Sequence, residues 1–229
     1  MGKDILKIIS VLSGLLPIVI FLVFHKRNKV GKLWVIFLYA VLSIFFDAAF
    51  SAIPEGDEDP EFYLFSLFSI VEFSLFTAFI FLQIKLKSKR RFIGASAILF
   101  YGFAIYNIIN GPQKSFDTLP ASIECVLVIL YCILCYFEQM RTPEVSFIYS
   151  SKVFWITTAV LIYVAATLFL FISTAYFTGE ERDNYWSINF ISNILKNILL
   201  SIAFILPKHK SPSPSDNDLY NKAFAPPFN

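Results

Sequence analysis

Four ionisable side chains lie deep inside long apolar stretches of this sequence. They are Asp47, Glu72, Glu124 and Lys196. An ionised side chain at the centre of a membrane helix costs about 2.5 to 3.5 kcal/mol on insertion scales, so such residues are rare and usually have a partner or a function. Carboxylates that face an ammonium group suit a bound cation, a protonated amine or a zwitterion, and they also suit proton coupling. Ligand binding and proton coupling are therefore the chemistry that these residues indicate.

The four side chains are predicted to share one depth. Each lies 12 to 15 residues from the polar residue that flanks its stretch on one side. These flanking residues are Lys32, Lys85, Glu138 and Lys208. Because a helix rises 1.5 Å per residue, the distance is about 18 to 23 Å, a little beyond the midplane of a bilayer. The same count places one polar residue near this height in each of the three remaining stretches. They are Ser13, Asn107 and Thr167.

The last apolar stretch carries a continuous polar face. Asn189, Asn193 and Lys196 stand at positions i, i+4 and i+7, with Asn197 beside them, and residues at this spacing share one side of a helix. Interhelical hydrogen bonds of about 0.6 to 2 kcal/mol account for the asparagines. The charged residues favour a functional pocket over a purely structural ion-pair network. The predicted ligand- or ion-binding residues are Asp47, Glu72, Glu124, Lys196, Asn189, Asn193, Asn107 and Thr167.

The residues that precede Glu72 and Lys196 align with each other. The segment from Ser69 to Glu72 superposes on the segment from Asn193 to Lys196 at an offset of 124 residues, and the same offset places Tyr39 on Tyr163. The correspondence fits an origin by duplication of helical hairpins. Chance similarity in a chain so rich in phenylalanine and isoleucine is the alternative.

The elements that must position these residues are transmembrane helices. Of the 229 residues, 57% are hydrophobic, and the mean hydropathy is +0.66, against roughly 45 to 50% apolar residues in soluble domains. Seven apolar runs without strand-like alternation each approach the roughly 20 residues that cross about 30 Å of hydrocarbon as a helix. They span about Ile8 to Phe24, Leu33 to Ile53, Phe62 to Ile84, Phe92 to Ile109, Leu119 to Phe137, Val153 to Phe177 and Tyr185 to Leu206. The predicted fold is an all-α integral membrane protein, a seven-transmembrane-helix bundle.

Basic residues are distributed unequally between the two ends of these predicted helices. One end holds 14 of the 19 lysines and arginines, and the other end holds the acidic turns 55–61 and 180–183. The positive-inside rule therefore places the N-terminus outside and the C-terminus in the cytoplasm, as in a multi-pass protein of the plasma (inner) membrane. The net charge of +2 reflects this asymmetry, so no nucleic-acid partner is expected.

Two regions are expected along the chain. Residues 1–206 form the seven-helix domain, and residues 207–229 are too polar and proline-rich to pack, which predicts a flexible cytoplasmic tail. We expect the first apolar stretch to be retained in the protein. Its last residue, Phe24, leads into His25-Lys26-Arg27 without the small-residue pattern of a signal-peptide cleavage site.

The sequence shows no pattern typical of catalysis or metal binding. Both histidines, His25 and His209, lie in the predicted cytoplasmic flanks, so a histidine-ligated metal or haem inside the bundle is not expected. Cys132 and Cys135 have CxxC spacing without a second pair, and with Cys125 they are expected to be reduced packing residues. The sequence therefore predicts no enzymatic activity, no cofactor and no metal site.

The function that fits these observations best is the binding of a small ligand. A seven-helix bundle with a polar centre can bind a small cationic or zwitterionic ligand, and its short loops leave signalling to a membrane or cytoplasmic protein partner. This favours a sensor, or the membrane subunit of a larger complex, surrounded by the lipid bilayer. A proton- or cation-coupled transporter is the alternative, although Pro17 is the only proline well inside a predicted span and indicates few broken helices. A structural scaffold is the third possibility, if the charged residues are fully paired.

Seven helices, an external N-terminus and a lysine in the middle of the seventh helix make the chain resemble the retinal-binding rhodopsins. The resemblance implies a retinal Schiff base at Lys196, with Glu72 as its counter-ion. It is a resemblance of topology, because Ser192 stands four residues before the lysine, where microbial rhodopsins usually have an acidic residue. Tryptophans that would enclose the polyene are also missing from mid-membrane positions of the sequence.

Overall fold

The computed structural model describes residues 2–28, 32–54, 58–110, 118–141, 150–174 and 180–207. Within these residues the chain folds into helices. They are α1 (Gly2–Ser13), α2 (Leu15–Val23), α3 (His25–Asn28), α4 (Leu33–Ala52), α5 (Glu58–Gln83), α6 (Lys87–Asn110), α7 (Thr118–Met140), α8 (Lys152–Thr174) and α9 (Glu180–Ile205). The predicted tail and several of the connections that carry the predicted charge asymmetry lie outside the described residues.

Seven spans in the described part of the chain are long and apolar enough to cross a membrane. The first is formed by α1 and α2 together, and the others are α4 to α9 in order, with mean hydropathy between 1.7 and 2.5. Their outer surfaces carry large apolar side chains, such as Phe45, which is 65% exposed, and Leu99, which is 74% exposed. Lipid is the surrounding in which such a surface is stable. The prediction of a multi-pass, seven-helix membrane protein is confirmed at this level.

The first span is a broken helix. Pro17 is the third residue of α2 and has no N–H to donate to the carbonyl of Ser13, so the α-helical hydrogen bonds stop at this point. The N–H of Gly14 donates instead to the carbonyl of Val11 at 3.1 Å, which closes the last turn of α1. The sequence predicts one continuous helix here, and the structure differs because the hydrogen bond that Pro17 cannot make falls at the boundary between α1 and α2.

Helices α5 and α9 each pack against several neighbours. Helix α9 contacts α1, α2 and α8, while α5 contacts α4, α6, α7 and α8. The apolar core between these helices is rich in buried aromatic rings, including Phe73, Phe76, Phe79 and Phe204. These large rings fill most of the space between the helices, and they hold α4, α5, α8 and α9 around one region that is polar.

Polar contacts fix the helices at one end of the bundle, which we call the basic end. The buried side chain of Asn28 donates from Nδ2 to the carbonyl of Phe204 at 3.1 Å and accepts a hydrogen bond from Lys152 Nζ at 2.6 Å. Glu138, at the end of α7, accepts from the backbone N–H of Lys85 at 3.0 Å and from Lys89 Nζ at 2.9 Å. The turn between α5 and α6 is thereby attached to α7.

Lys32 belongs to the same end, where it precedes α4. Its ammonium group donates a hydrogen bond to the carbonyl of Leu82, near the end of α5. Burial, together with the nearby charges of Lys85 and Arg90, lowers the pKa of Lys32. Cations are stabilised at helix C-termini by the unpaired carbonyl groups, so this contact ties the start of α4 to the end of α5.

The predicted orientation can be tested by labelling at two exposed residues at opposite ends of the bundle. A membrane-impermeant maleimide added to intact cells should modify a Pro54→Cys variant, and it should modify a Ser88→Cys variant only after permeabilisation, since the basic end is predicted to face the cytoplasm. The parent protein is the control, because Cys125, Cys132 and Cys135 are buried. Labelling in the reverse order would show that the bundle has the opposite orientation.

Candidate functional site

The candidate site is built around Lys196 on α9. This side chain is 1% exposed and lies beside α4 and α8. Its ammonium nitrogen donates a hydrogen bond to the hydroxyl of Tyr39 at 2.6 Å, and it lies 4.0 Å from the ring centroid of Tyr163 and 4.8 Å from that of Tyr39. The negative face of an aromatic ring attracts a cation, most strongly where water is excluded. Two tyrosines therefore replace much of the solvation that the ammonium group would have in water.

The Tyr39 hydroxyl also connects Lys196 to Glu72. It donates a hydrogen bond of 2.7 Å to Oε1 of Glu72, a residue of α5 that is 8% exposed. In the part of the chain that the structure describes, Lys196 therefore reaches this carboxyl group through the tyrosine and not by a direct ion pair. The sequence places Glu72 and Lys196 at a common depth, and the structure puts a phenol between the two groups.

A second buried carboxyl group lies next to the first. Glu124 on α7 is 4% exposed, and its Oε2 accepts a hydrogen bond from the hydroxyl of Ser69. Ser69 precedes Glu72 by three residues on α5, so both side chains point to the same side of that helix. Glu72 and Glu124 line the same cavity. One face of α5 thus carries the carboxyl group of Glu72 and, through Ser69, contacts the carboxyl group of Glu124 on α7.

These carboxyl groups form the inner end of a cavity of about 370 Å³. The cavity extends from Lys7 and Ser51, whose side chains are exposed, to Glu72 and Glu124, whose side chains are buried. A volume of this size falls in the range of roughly 300 to 1,000 Å³ that is typical of small-molecule sites. Six aromatic rings contribute to its walls, and they are those of Phe50, Phe65, Phe68, Tyr163, Phe171 and Phe190.

Acidic side chains outnumber basic side chains in the cavity wall. Four carboxyl groups line it, and the only basic side chain among the described lining residues is that of Lys7 at the exposed end. The carboxyl groups are those of Asp47, Glu61, Glu72 and Glu124. Helix periodicity explains the contribution of α4, because Ser43 and Asp47 follow Tyr39 at steps of four residues and share its face.

Most residues of the predicted site come together here. Six of them line the cavity, namely Asp47, Glu72, Glu124, Thr167, Asn189 and Asn193. Lys196 contacts Tyr39 and Tyr163 beside the cavity and is not part of its described wall. Asn107 lies elsewhere, in a separate space of about 10 Å³ between α5, α6 and α7. The sequence predicts the depth of Asn107 on α6, but the rotation of α6 about its own axis turns this residue away from the cavity.

The asparagines of α9 also hold the broken first span in place. Asn193 Nδ2 donates to the hydroxyl of Ser10 at 2.9 Å, and Asn197 Nδ2 donates to the hydroxyl of Ser13 at 2.8 Å. These hydrogen bonds lie just before the interruption at Gly14, where the α-helical ladder is lost. The interhelical role predicted for the asparagines is thus present, and Asn193 combines it with a place in the cavity wall.

The sequence-based site omits three side chains that are central to the geometry, namely Tyr39, Tyr163 and Ser69. One sequence signal points to the two tyrosines. The alignment at an offset of 124 pairs Tyr39 with Tyr163 and Glu72 with Lys196, and the structure brings these four residues into one cluster. The composition gives no other reason to single out these two residues, because the chain has 11 tyrosines.

The carboxyl groups are not arranged as ligands of a metal ion. Among the described residues, no group of three or more histidine, cysteine, aspartate or glutamate side chains could hold one. Cys125, which lines the cavity, and Cys132 and Cys135 are free and buried, as predicted for packing residues. The arrangement is suited to non-covalent binding of a positive charge and to proton exchange between buried carboxyl groups and the cavity.

Comparison with known proteins finds no matching protein family, no matching curated protein and no matching solved structure.

The contact between Lys196, Tyr39 and Glu72 predicts a coupled effect of mutations on stability. Lys196→Met or Glu72→Gln alone should each lower the free energy of unfolding by about 3 to 5 kcal/mol, because each leaves an uncompensated buried charge, whereas the double variant should lose less than the sum. Thermal and denaturant unfolding in detergent measures all three variants.

The tyrosine bridge predicts, in addition, that the coupling between these two substitutions shrinks in a Tyr39→Phe background. Tyr131→Phe is the matched control, since it removes a buried hydroxyl that contacts Ser96 at 2.7 Å instead. Strictly additive losses for Lys196→Met and Glu72→Gln would show that the two side chains do not interact.

Proposed function

We propose that the protein binds a small organic cation or zwitterion in this cavity, without converting it chemically, and acts as a sensor or as the membrane subunit of a larger complex. The observation that carries the proposal is the combination of buried carboxyl groups with aromatic walls in one cavity of ligand size. Carboxyl groups attract the positive charge, and the rings contact both the charge and the apolar part of the ligand.

The surroundings of Lys196 support this choice of ligand. The chain stabilises its own buried ammonium group with two tyrosine rings, a hydroxyl and, one step further, a carboxyl group. Tyr163 is common to both environments, since it also lines the cavity. A ligand ammonium group at the inner end would meet the same kinds of partners, in the form of Glu72, Glu124 and an aromatic ring.

A zwitterion fits the charge pattern along the cavity. The contact of Asn193 with Ser10 places Lys7 about one helical turn further toward the exposed end of the cavity. Lys7 and Asn189 are the donors near that end, and a ligand carboxylate could accept hydrogen bonds there while the ammonium group lies against the inner carboxyl groups. This arrangement would orient such a ligand with its positive end innermost.

The setting proposed for this activity is the plasma (inner) membrane, with the N-terminus outside. The cavity opens at the end of the bundle where α1 and α9 begin, which the positive-inside rule places outside the cell. A ligand would therefore enter from the outside. A membrane or cytoplasmic protein partner would bind at the basic end and respond to the conformational change that the ligand causes.

A proton- or cation-coupled transporter is the second candidate, and the interruption of the first span at Gly14 favours it. Secondary transporters often place broken helices beside their substrate sites. Helix α1 contributes Lys7, Ser10 and Val11 to the cavity wall and ends at the break. A sensor requires only binding, whereas a transporter also requires that the cavity open toward the basic end.

A panel of three aromatic probes of similar shape tests the proposed ligand class. Isothermal titration calorimetry in detergent should detect binding of benzylammonium and weaker or no binding of neutral benzyl alcohol and anionic benzoate, because only the first offers a charge to the carboxyl groups. Glu124→Gln should weaken benzylammonium binding about 10- to 100-fold, the range expected for loss of a hydrogen bond to a charged group.

The control for this variant is Glu138→Gln, the same substitution on the same helix at the basic end, where the side chain contacts Lys89. It should leave the affinity unchanged. Equal binding of benzylammonium and benzyl alcohol would refute a cation site.

Proteoliposomes distinguish the two candidate functions. Uptake of radiolabelled tetramethylammonium, which keeps its charge at every pH, is expected for a transporter and not for a sensor. We expect binding without protein-dependent uptake. Uptake that a proton gradient accelerates would decide for the transporter.

Although the chain resembles the retinal-binding rhodopsins in topology, we expect that it forms no retinal chromophore. The amine of Lys196 contacts two tyrosines beside the cavity, and an aldehyde would have to displace them. Membranes supplied with all-trans retinal should therefore show no new visible absorption band. A band that Lys196→Ala abolishes would support a photoreceptor.

A further inference from the structure

Glu72 and Glu124 end in the same cavity, but their surroundings differ. Glu72 accepts a hydrogen bond from Tyr39, whose oxygen accepts one from the ammonium group of Lys196. A positive charge is thus two hydrogen bonds away from this carboxyl group. Chains of hydrogen bonds that end in an ion polarise one another and stabilise the opposite charge at the far end. Glu72 is therefore the carboxylate whose charge the protein compensates.

Glu124 lacks such compensation. Its Oε2 accepts a hydrogen bond from Ser69, a neutral hydroxyl. Its Oε1 has no hydrogen-bond partner among the described residues. The residue is nevertheless only 4% exposed, and it lines the cavity. Glu124 is thus a buried residue with one carboxyl oxygen that can accept a contact from a group in the cavity.

Titratable and charged side chains face this region from every helix packed around it. They belong to Lys7 on α1, Tyr39 and Asp47 on α4, Glu61 and Glu72 on α5, Cys125 on α7, Tyr163 on α8 and Lys196 on α9. In this described set there are two cations. Lys196 contacts Tyr39 and Tyr163, and Lys7 lies at the exposed end of the cavity. Neither contacts Glu124.

One ammonium group cannot neutralise two buried carboxylates. Burying an ionised carboxylate without a counter-charge costs several kcal/mol even after relaxation, and a proton removes that cost. Pairs of carboxyl groups in unlike surroundings commonly divide in this way, one ionised and one protonated. The different contacts of Glu72 and Glu124 determine which of the two is ionised and which is protonated.

We infer that Glu124 is the proton-binding group of the cavity, which holds one proton in the ligand-free protein and releases it to water when a cation binds beside it. The second half of this inference rests on the proposed function. The exchange is balanced in charge, because the ligand brings one positive charge and the carboxylic acid loses one proton to become the carboxylate that pairs with it. No covalent bond to the ligand forms.

Proton release fixes the sign of the pH dependence. Binding consumes a cation and liberates a proton, so a rise in pH favours binding over the range in which Glu124 is protonated. The affinity for a cation of fixed charge should increase tenfold per pH unit there, for one proton released. The neutral Glu124→Gln side chain has no proton to exchange, so its weaker binding should not change with pH.

Infrared spectroscopy of the ligand-free protein in membranes tests the first half without any ligand. The wild-type protein should show the carbonyl stretching band of a buried protonated carboxylic acid, and Glu124→Gln should lose it. Glu72→Gln and the control Glu138→Gln should retain it. Ser69→Ala should shift the band without abolishing it, since it removes the hydroxyl that donates to Glu124, and this variant keeps the test valid if Glu124→Gln folds poorly. A band that persists in Glu124→Gln, or that is unaffected by Ser69→Ala, would overturn the assignment.

Titration of weakly buffered protein with benzyltrimethylammonium, in the presence of a pH indicator, tests the second half. One proton should appear per bound cation in the wild type and none in Glu124→Gln. Binding without proton release would refute the exchange and leave the proposed function intact. If the cation does not bind, the proposed function and the exchange both fail, and the infrared experiment still decides whether Glu124 holds the proton.

Discussion

The ammonium group of Lys196 must be stabilised in the interior of an apolar bundle, and the central structure follows from that requirement. Lys196 is 1% exposed, and the cost of an isolated charge there is several kcal/mol. The protein meets this cost with the hydroxyl of Tyr39 and the rings of Tyr39 and Tyr163. Tyr39 in turn donates to Glu72. Four helices, α4, α5, α8 and α9, are thereby held at fixed positions relative to one another.

The cavity lies beside this arrangement. Lys196 contacts Tyr39 and Tyr163, and the space next to Glu72 and Glu124 is not filled by side chains of the described residues. Helix α1 closes the cavity on another side, held by the contacts of Ser10 and Ser13 with α9 and interrupted at Gly14. The cluster around Lys196 and the cavity thus share Glu72 and Tyr163, and the proposed cation site lies next to the charge that the protein itself buries.

Much of the fold can be predicted from the sequence, because the thickness of a bilayer sets the length of each span and the rise of 1.5 Å per residue sets the depth of each side chain. For the same reason, six residues of the predicted site line one cavity. Whether they bind a ligand stays a prediction. The position of Asn107 could not be predicted, because depth says nothing about the rotation of α6 toward α5 and α7.

The bridge through Tyr39 could not be predicted either. The sequence places Glu72 and Lys196 at similar depth, but the partner of a buried charge depends on which helices are adjacent and on how far a tyrosine side chain reaches. The interruption at Gly14 is a different case, since its cause, Pro17, is visible in the sequence. The sequence does not show whether such a proline bends an apolar span or divides it into two helices, because the outcome also depends on the packing of α1 and α2 against α9.

A crystal structure in a lipid mesophase, at a resolution that shows ordered water, would test the central claim most directly. The Tyr39 hydroxyl should lie between Lys196 and Glu72, and density for water or a bound molecule should lie within hydrogen-bonding distance of the free oxygen of Glu124. A dry, closed centre in which Glu72 and Glu124 each pair directly with a basic side chain would contradict the account, because it would leave no site for a ligand cation or for an exchangeable proton.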